Sequence, residues 1–163
     1  MKKIIGGKRI EDILNKINVV MGVISLTGEF PPGRASCGFF TIRSKNDGGV
    51  LLVIRVGEVP TEKLERYLLL SLEKSQRVYT SNLASSWQTR DEAVDKWGGA
   101  VLVNDADDGL ILSFSGLPEL ADEAVVMMTA VLLGWNTRKE MLAISAISSN
   151  PFFPTLEKLF VER

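Results

Sequence analysis

Apolar positions recur along this chain with a period that changes several times, and each change marks a predicted element. Ile10, Ile13, Leu14 and Ile17 share one helical face, with Glu11 and Asp12 opposite, which predicts a helix over about residues 8–18. The next stretch, VVMGVISLTG, is dense in β-branched residues and closes on Thr-Gly, so it reads as a strand. EFPPGRAS is a loop, because Pro31 and Pro32 have no N–H to give a central ladder. CGFFTIR and GVLLVIRVG follow as a hairpin joined by SKNDGG, whose glycines supply the positive φ of a tight turn.

From Thr61 the period becomes helical. Leu64, Tyr67, Leu68, Ser71, Leu72, Ser75, Val78 and Tyr79 line one face, and Glu62 with Arg66 and Glu73 with Arg77 stand at i,i+4, predicting a long helix over about residues 61–83. ASSWQTRDEAVDKW has no clear period and reads as a mobile connection holding one short helical turn. GGAVLV and LILSFS flank NDADDG as a second hairpin. Pro118 suits a first helical turn, and Glu119, Asp122 and Glu123 suit the positive end of a helix dipole. This helix, about 118–133, is apolar all round from Ala124 to Leu133 except for Thr129, so it must be covered on more than one side. Gly134 stops it, Thr137 with Glu140 forms a capping box for a further helix to about Ser148, and Asn150-Pro151 ends that. Phe152, Phe153, Leu156, Leu159 and Phe160 make a tail that must dock on its own chain or on a neighbouring subunit.

These elements predict an α+β fold, a mainly antiparallel sheet of about five strands with packed helices, profilin-like or PAS-like. One domain spans residues 1–163, with a C-terminal helical addition from about 135. A chain of 163 residues buries a core without disulfides or metal, and its net charge of -1 argues against nucleic acid and anionic membranes as partners. The lone Cys37 suits a reducing compartment, and the start MKKIIGGKRIED lacks the apolar core of a signal peptide, so the cytoplasm is the expected location. No apolar run approaches the roughly 18 residues of a membrane span.

Candidate chemistry is sparse. Histidine is absent, which removes the commonest general base and the commonest haem and zinc ligand. NDADDG resembles a calcium loop, but with Asn104 as position 1 the third position is Ala106 and the twelfth Ser115, so it reads as a solvated turn. Cys37 is a small core residue or, with an unusual base, a nucleophile. Trp87, Trp97 and Trp135 fill cores or stack on a planar ligand. The corner Ser115-Gly116-Leu117-Pro118 turns a strand into a helix; either Ser115 caps that helix or the backbone N–H groups receive an anion. With Arg55 and Lys74 as cations, Ser115 and Gly116 define a candidate site for a small anionic molecule.

Several segments resemble the GlcG/HbpS-like family, once called a domain of unknown function and sometimes labelled haem-degrading or haem-binding. The resemblance runs from about Cys37 to Gly134. NDGGVLLVIRVG is similar to the family's Asp-x-x-Gly hairpin and Arg-Met-x-Gly strand end through Arg55 and Gly57. Lys74, Ser75 and Val78 match its helical Lys-Ala-x-Thr-Ala, Gly98 and Gly99 its Gly-Gly-Ile-Pro, and Leu112, Ser115, Gly116, Asp122 and Glu123 its Ile-Gly-Val-Ser-Gly strand and acidic helix start. The chain departs from the pattern at Arg77, Ala100, Val101 and Ser113. The resemblance implies a small oligomeric α+β protein that binds a small molecule. Haem is disfavoured as cofactor because, without histidine, its iron would need Cys37, a Met or a Tyr. The expectation is a non-enzymatic, homo-oligomeric ligand-binding or accessory protein, the alternative a roadblock-like protein-interaction module. A third possibility, an enzyme using Lys74 or Cys37, has the least support.

Overall fold

The computed structural model describes residues 7–27, 36–103 and 109–161. Along these residues the order is α1 (Gly7–Ile24), β1 (Gly38–Ser44), β2 (Val50–Val56), α2 (Leu64–Ser81), β3 (Ala100–Val103), β4 (Leu110–Ser115), α3 (Glu119–Leu132), α4 (Arg138–Ser148) and α5 (Phe152–Val161). The class is α+β, and the sheet is antiparallel throughout in the order β2-β1-β4-β3. The EFPPGRAS loop apart from Ser36, and residues 104–108 of the NDADDG turn, lie outside the described residues.

Among the described residues the sheet has four strands where the sequence predicts about five, because the segment after residue 18 is helical. Ile13, Ile17, Val20, Met21 and Ile24 are all buried in the main core. Their spacing of four, three, one and three residues carries one helical stripe to the end of α1. Burial of that stripe overrides the β preference of the individual valines and isoleucines.

Helices cover both faces of the sheet, and the two faces differ in chemistry. Phe40 and Ile42 of β1 and Leu112 and Phe114 of β4 point into a hydrocarbon core shared with α1, α3 and α5. The intervening residues Thr41, Arg43 and Ser113 point to α2, where the buried positions are Ser71, Lys74, Ser75, Arg77 and Val78. The predicted α2 period is therefore present, but its buried face is rotated towards polar residues. They are satisfied pairwise: Ser71 Oγ lies 2.8 Å from Thr41 Oγ1 and 3.0 Å from Ser113 Oγ, and Arg43 Nε donates to Ser75 Oγ at 3.1 Å. β4 is central and buried along its whole length, as a strand between two covered faces must be.

The C-terminal segment docks on its own chain. α5 packs against α3 and α1, with Phe153 and Leu156 fully buried. Thr137 and Glu140 form the predicted capping box, and Gly134 adopts the left-handed conformation of a helix stop at φ 71°. Glu123, inside α3, ties the addition down. It accepts hydrogen bonds from Ser85 Oγ at 2.8 Å, Ser148 Oγ at 2.5 Å and Asn150 Nδ2 at 2.9 Å, while Asn150 Oδ1 caps α5 through the N–H groups of Phe152 and Phe153.

Burial raises the pKa of the Glu123 carboxyl, more than the hydrogen bonds from Asn150, Ser148 and Ser85 lower it. A raised folded-state pKa means the folded protein holds this proton more tightly than the unfolded chain. Its stabilising effect is complete below the ordinary glutamate range and is lost as pH rises through the raised value. Glu123→Gln keeps an acceptor for Ser148 and Asn150, and its amide can donate to Ser85. Its stability should exceed that of the wild type increasingly as pH climbs from mildly acidic to neutral in urea titrations, whereas parallel pH curves would contradict this. Glu123→Ala should instead lose about 2–4 kcal/mol by orphaning three donors.

Close approach at the corner makes a second prediction. A Cβ on Gly116 would meet Cys37 O at 1.9 Å and Gly38 Cα at 2.7 Å, whereas one on Gly22 meets nothing within 4 Å. Gly116→Ala should lower stability by about 3 kcal/mol or more through displaced backbone. Gly22→Ala, in the α1 interior, should raise it by about 0.5–1 kcal/mol. Urea midpoints of the two variants measured together check both signs.

Candidate functional site

The exit of β4, the start of α3 and the first half of α2 enclose a cleft of about 510 Å³. Its floor is an ion pair. Lys74 Nζ lies 2.8 Å from Asp122 Oδ2, both side chains are 2 % exposed, and the ammonium also donates to Phe114 O at 3.0 Å. Asp122 Oδ1 accepts the Leu117 N–H at 2.9 Å, so this carboxylate, not Ser115, serves the amide at the corner. Pro118 holds the N-cap position without a side-chain cap bond. Gly99 lets the chain pass over the pair: a Cβ there would stand 2.8 Å from Asp122 Cβ and 2.9 Å from Lys74 Nζ, at φ +119°.

Of the four predicted site residues, Lys74, Ser115 and Gly116 line this cleft. Arg55 does not. It lies on β2 opposite Phe39, half exposed, with Glu58 at 3.6 Å. The charge of Lys74 is buried and matched by Asp122, so the exposed cations of the cleft are other residues. Lys63 and Arg66 stand at its rim, between Tyr67 and Leu70 on the α2 side and Trp97 on the other. Lys63, at the N-cap of α2, and Arg66, Tyr67 and Leu70 within it follow one another at i, i+3, i+4 and i+7, a second helical stripe beside the apolar one. That spacing was available in the sequence and was overlooked, because charged residues at such positions usually mark a solvated face.

The Trp97 wall belongs to the connection between α2 and β3, read from the sequence as mobile. It is anchored instead. A short 3-10 turn, Ser86–Thr89, folds against the buried Arg77 guanidinium, which donates to Ser86 O and Thr89 O, both at 2.9 Å, and to Trp97 O; a second, Glu92–Val94, follows it. Arg77 Nε pairs with Glu73 at 2.6 Å, as the i,i+4 spacing predicted. Arg90 lies over the rings of Trp87 and Trp97, 4.8 and 5.8 Å from their centroids, and its Nε donates to Glu119 at 2.8 Å. Trp135 is remote from the cleft, buried in the main core with Arg9 over its ring.

The predicted Glu62–Arg66 partnership gives way to a longer-range one. Arg66 meets Asp95 in a two-pronged pair, NH1 to Oδ2 at 2.9 Å and NH2 to Oδ1 at 2.8 Å, and the Trp97 indole N–H donates to the same Oδ1 at 2.5 Å. The hydrogen bonds from Arg66 and Trp97 hold the Asp95 carboxyl below the usual aspartate range, and Asp95 holds the Arg66 pKa up in return.

Among the described residues, no hydrogen-bonded nucleophile–base pair lines this cleft. Ser71 and Lys74 have the one-turn spacing of a serine–lysine couple, but the Lys74 ammonium is engaged by Phe114 O and Asp122 and Ser71 Oγ by other hydroxyls. Cys37 is buried with Phe39 and Val59 and is not part of the lining. No cluster of three or more potential metal ligands occurs among the described residues. No helix among them is long and apolar enough to cross a membrane.

The fold of this chain is similar to that of two solved structures. The crystal structure of a PduOC–haem complex superposes with a TM-score of 0.56 over 81 % of this chain and 96 % of that one, at 10 % identity. The Klebsiella pneumoniae protein ORFY, described as a DUF336 protein, superposes with a TM-score of 0.50 over 75 % of this chain and 88 % of that one, at 12 % identity. The fold is DUF336-like, that is, GlcG-like. No family model and no curated protein sequence matches the chain. Within the GlcG-like fold, the resemblance noted at Lys74, Gly99, Ser115, Gly116 and Asp122 falls around the cleft floor, where these residues contact one another or line the same space.

Removal of one ion-pair member tests the floor. Lys74→Met should cost about 3–5 kcal/mol by leaving Asp122 buried without its cation. Adding Asp122→Asn, which keeps the acceptor for Leu117, should restore part of that loss. Strictly additive losses in a double-mutant cycle read by urea denaturation would contradict the coupling.

Proposed function

We propose that this chain is a non-enzymatic small-molecule-binding or accessory protein of the GlcG/HbpS-like kind, taking a small anionic molecule with a planar or apolar body at the β4 exit. The observation that carries the proposal is the cleft of about 510 Å³ whose walls are Tyr67, Leu70, Trp97 and Leu117 and whose rim carries Lys63 and Arg66. Aromatic and aliphatic walls with a few polar groups at one end are the usual composition of a ligand site. Ser115, Gly116 and Lys74 contribute its floor and lip; Arg55 belongs to the proposal only through an assembly that brings β2 to the cleft.

One of the structural neighbours is a haem complex, but the donors of this cleft do not fit a ligated haem iron. The chain contains no histidine, and the lining offers neither thiolate nor thioether, leaving the Tyr67 phenol as its only group of a known haem-ligand type. A planar carboxylate without iron suits the lining better.

Homo-oligomer formation belongs to this proposal; the alternative, a roadblock-like protein-interaction module, draws on the sheet edges. β3 is covered on its outer side by the Ser85–Val101 bridge and by the Leu102 N–H bond to Ala84 O. β2 leaves Val50, Leu51 and Val53 exposed at 39–45 %. Its single Cys37 and net charge of -1 suit a cytoplasmic protein without nucleic-acid partners, and both remain part of the proposal.

Thermal-shift measurements with aromatic and aliphatic carboxylates, inorganic phosphate, flavins and haem test the ligand-binding proposal. A planar carboxylate at about one hundred times its Kd should raise the Tm by about 5 °C or more. Trp97→Ala should remove the shift. No shift from any class, together with capture of a partner protein by the β2 edge that Leu51→Lys abolishes, would transfer the case to the interaction module.

A further inference from the structure

Three groups from two parts of the chain, α2 and the α2–β3 connection, meet beside the cleft. The Arg66 guanidinium comes from α2, the Trp97 indole N–H from the end of the α2–β3 connection, and the carboxylate they share belongs to Asp95. Two parallel N–H bonds from Arg66 and one from Trp97 complete the geometry by which proteins recognise a planar carboxylate. Arg66 and Trp97 both line the cleft, whereas Asp95 is outside its lining. We propose that Arg66 and the Trp97 indole form the carboxylate receptor of this cleft, that Asp95 fills it in the free protein, and that a planar ligand binds by exchanging its own carboxylate for that of Asp95. This inference rests on the ligand-binding function proposed for the same cleft.

The exchange is physically inexpensive. The Arg66 and Asp95 side chains are 56 % and 47 % exposed, so their pair is screened by water and salt, and neither charge is stranded in the interior when they part. Asp95 sits in the left-handed region at φ 58°, at the end of the Glu92–Val94 turn, on a short loop whose ends are held by paired hydrogen bonds between Asp91 and Lys96, so the exchange needs only rotation of its side chain. The incoming molecule meets the same three N–H groups and gains contact with Tyr67 and Trp97, which Asp95 lacks the apolar surface to exploit. Lys63, poised over the Tyr67 ring at 6.0 Å, adds a second positive charge on the approach side. Lys74 cannot play this part, because its ammonium is already bound to Asp122 beneath the floor.

Isothermal titration with 2-naphthoate tests the exchange, with uncharged 2-naphthylmethanol and inorganic phosphate as comparison probes. Asp95→Asn removes the internal competitor's charge, and asparagine tolerates the left-handed backbone. It should bind 2-naphthoate about fivefold tighter than the wild type, the order expected from an exposed ion pair. Trp97→Phe, which keeps a ring but not the N–H, should bind it severalfold more weakly. In Arg66→Met, 2-naphthoate binding should fall to that of 2-naphthylmethanol and the gain from Asp95→Asn should vanish. Unfolding midpoints close to wild type establish that each variant is folded. Equal affinity of wild type and Asp95→Asn overturns the inference, as does equal binding of the acid and the alcohol, or of phosphate and 2-naphthoate. If another ligand binds in a Trp97-dependent way while Asp95→Asn changes nothing, the exchange falls and the ligand-binding function stands. If no ligand binds at all, both fall.

Discussion

The Lys74–Asp122 ion pair is the constraint on which the geometry of this molecule depends. It joins the middle of α2 to the first turn of α3 across the end of β4, and it does so where both groups are withdrawn from water. A buried pair of this kind is weak evidence for net stability, since the cost of desolvation offsets much of the attraction. Its consequence is positional. Neither charge is tolerated alone, so α2, β4 and α3 keep the register in which the two meet. Gly99 and Gly116 then follow as necessities, because backbone must pass within van der Waals contact of that pair and of β1.

The two sides of the sheet divide the work. On the α1, α3 and α5 side, aliphatic and aromatic side chains exclude water, and the C-terminal helices extend that core. On the α2 side, hydroxyls, an arginine and the ion pair replace hydrocarbon, each polar group finding a partner on a facing element. Such a layer specifies position more than it adds stability, because each hydrogen bond has a narrow geometry. A ligand cleft at the open end of the polar layer is consistent with that division: its floor is fixed by directional bonds, while its walls are apolar.

Arg77 and Arg90 show how an irregular segment becomes a wall. The α2–β3 connection has no hydrophobic periodicity, yet the backbone carbonyls of Ser86, Thr89 and Trp97 turn towards one buried guanidinium. Arg90 then lies over the rings of two tryptophans and ties this wall to α3 through Glu119. Reading this stretch as mobile followed from its lack of pattern. Its order comes from side-chain to backbone bonds that leave no periodic trace.

Much of the fold was legible in the chain: both hairpins, the long two-faced helix, the buried helix with its Gly134 stop and the Thr137–Glu140 capping box are local patterns, written within a few residues of one another. The site was legible only in part. The strand-to-helix corner points to Ser115 and Gly116, and Lys74 and Arg55 join them for their charge; Lys74 lines the cleft, Arg55 faces elsewhere, and Arg66 pairs with Asp95 and not with the neighbour four residues away. Tertiary packing alone decided these matters, as it decided that the β-branched run after residue 18 continues a helix. Local sequence carries period, caps and turns because those depend on adjacent residues. Which charge meets which, and which stripe is buried, depends on partners 29 or 48 positions distant, whose pairing exists only once the sheet has formed.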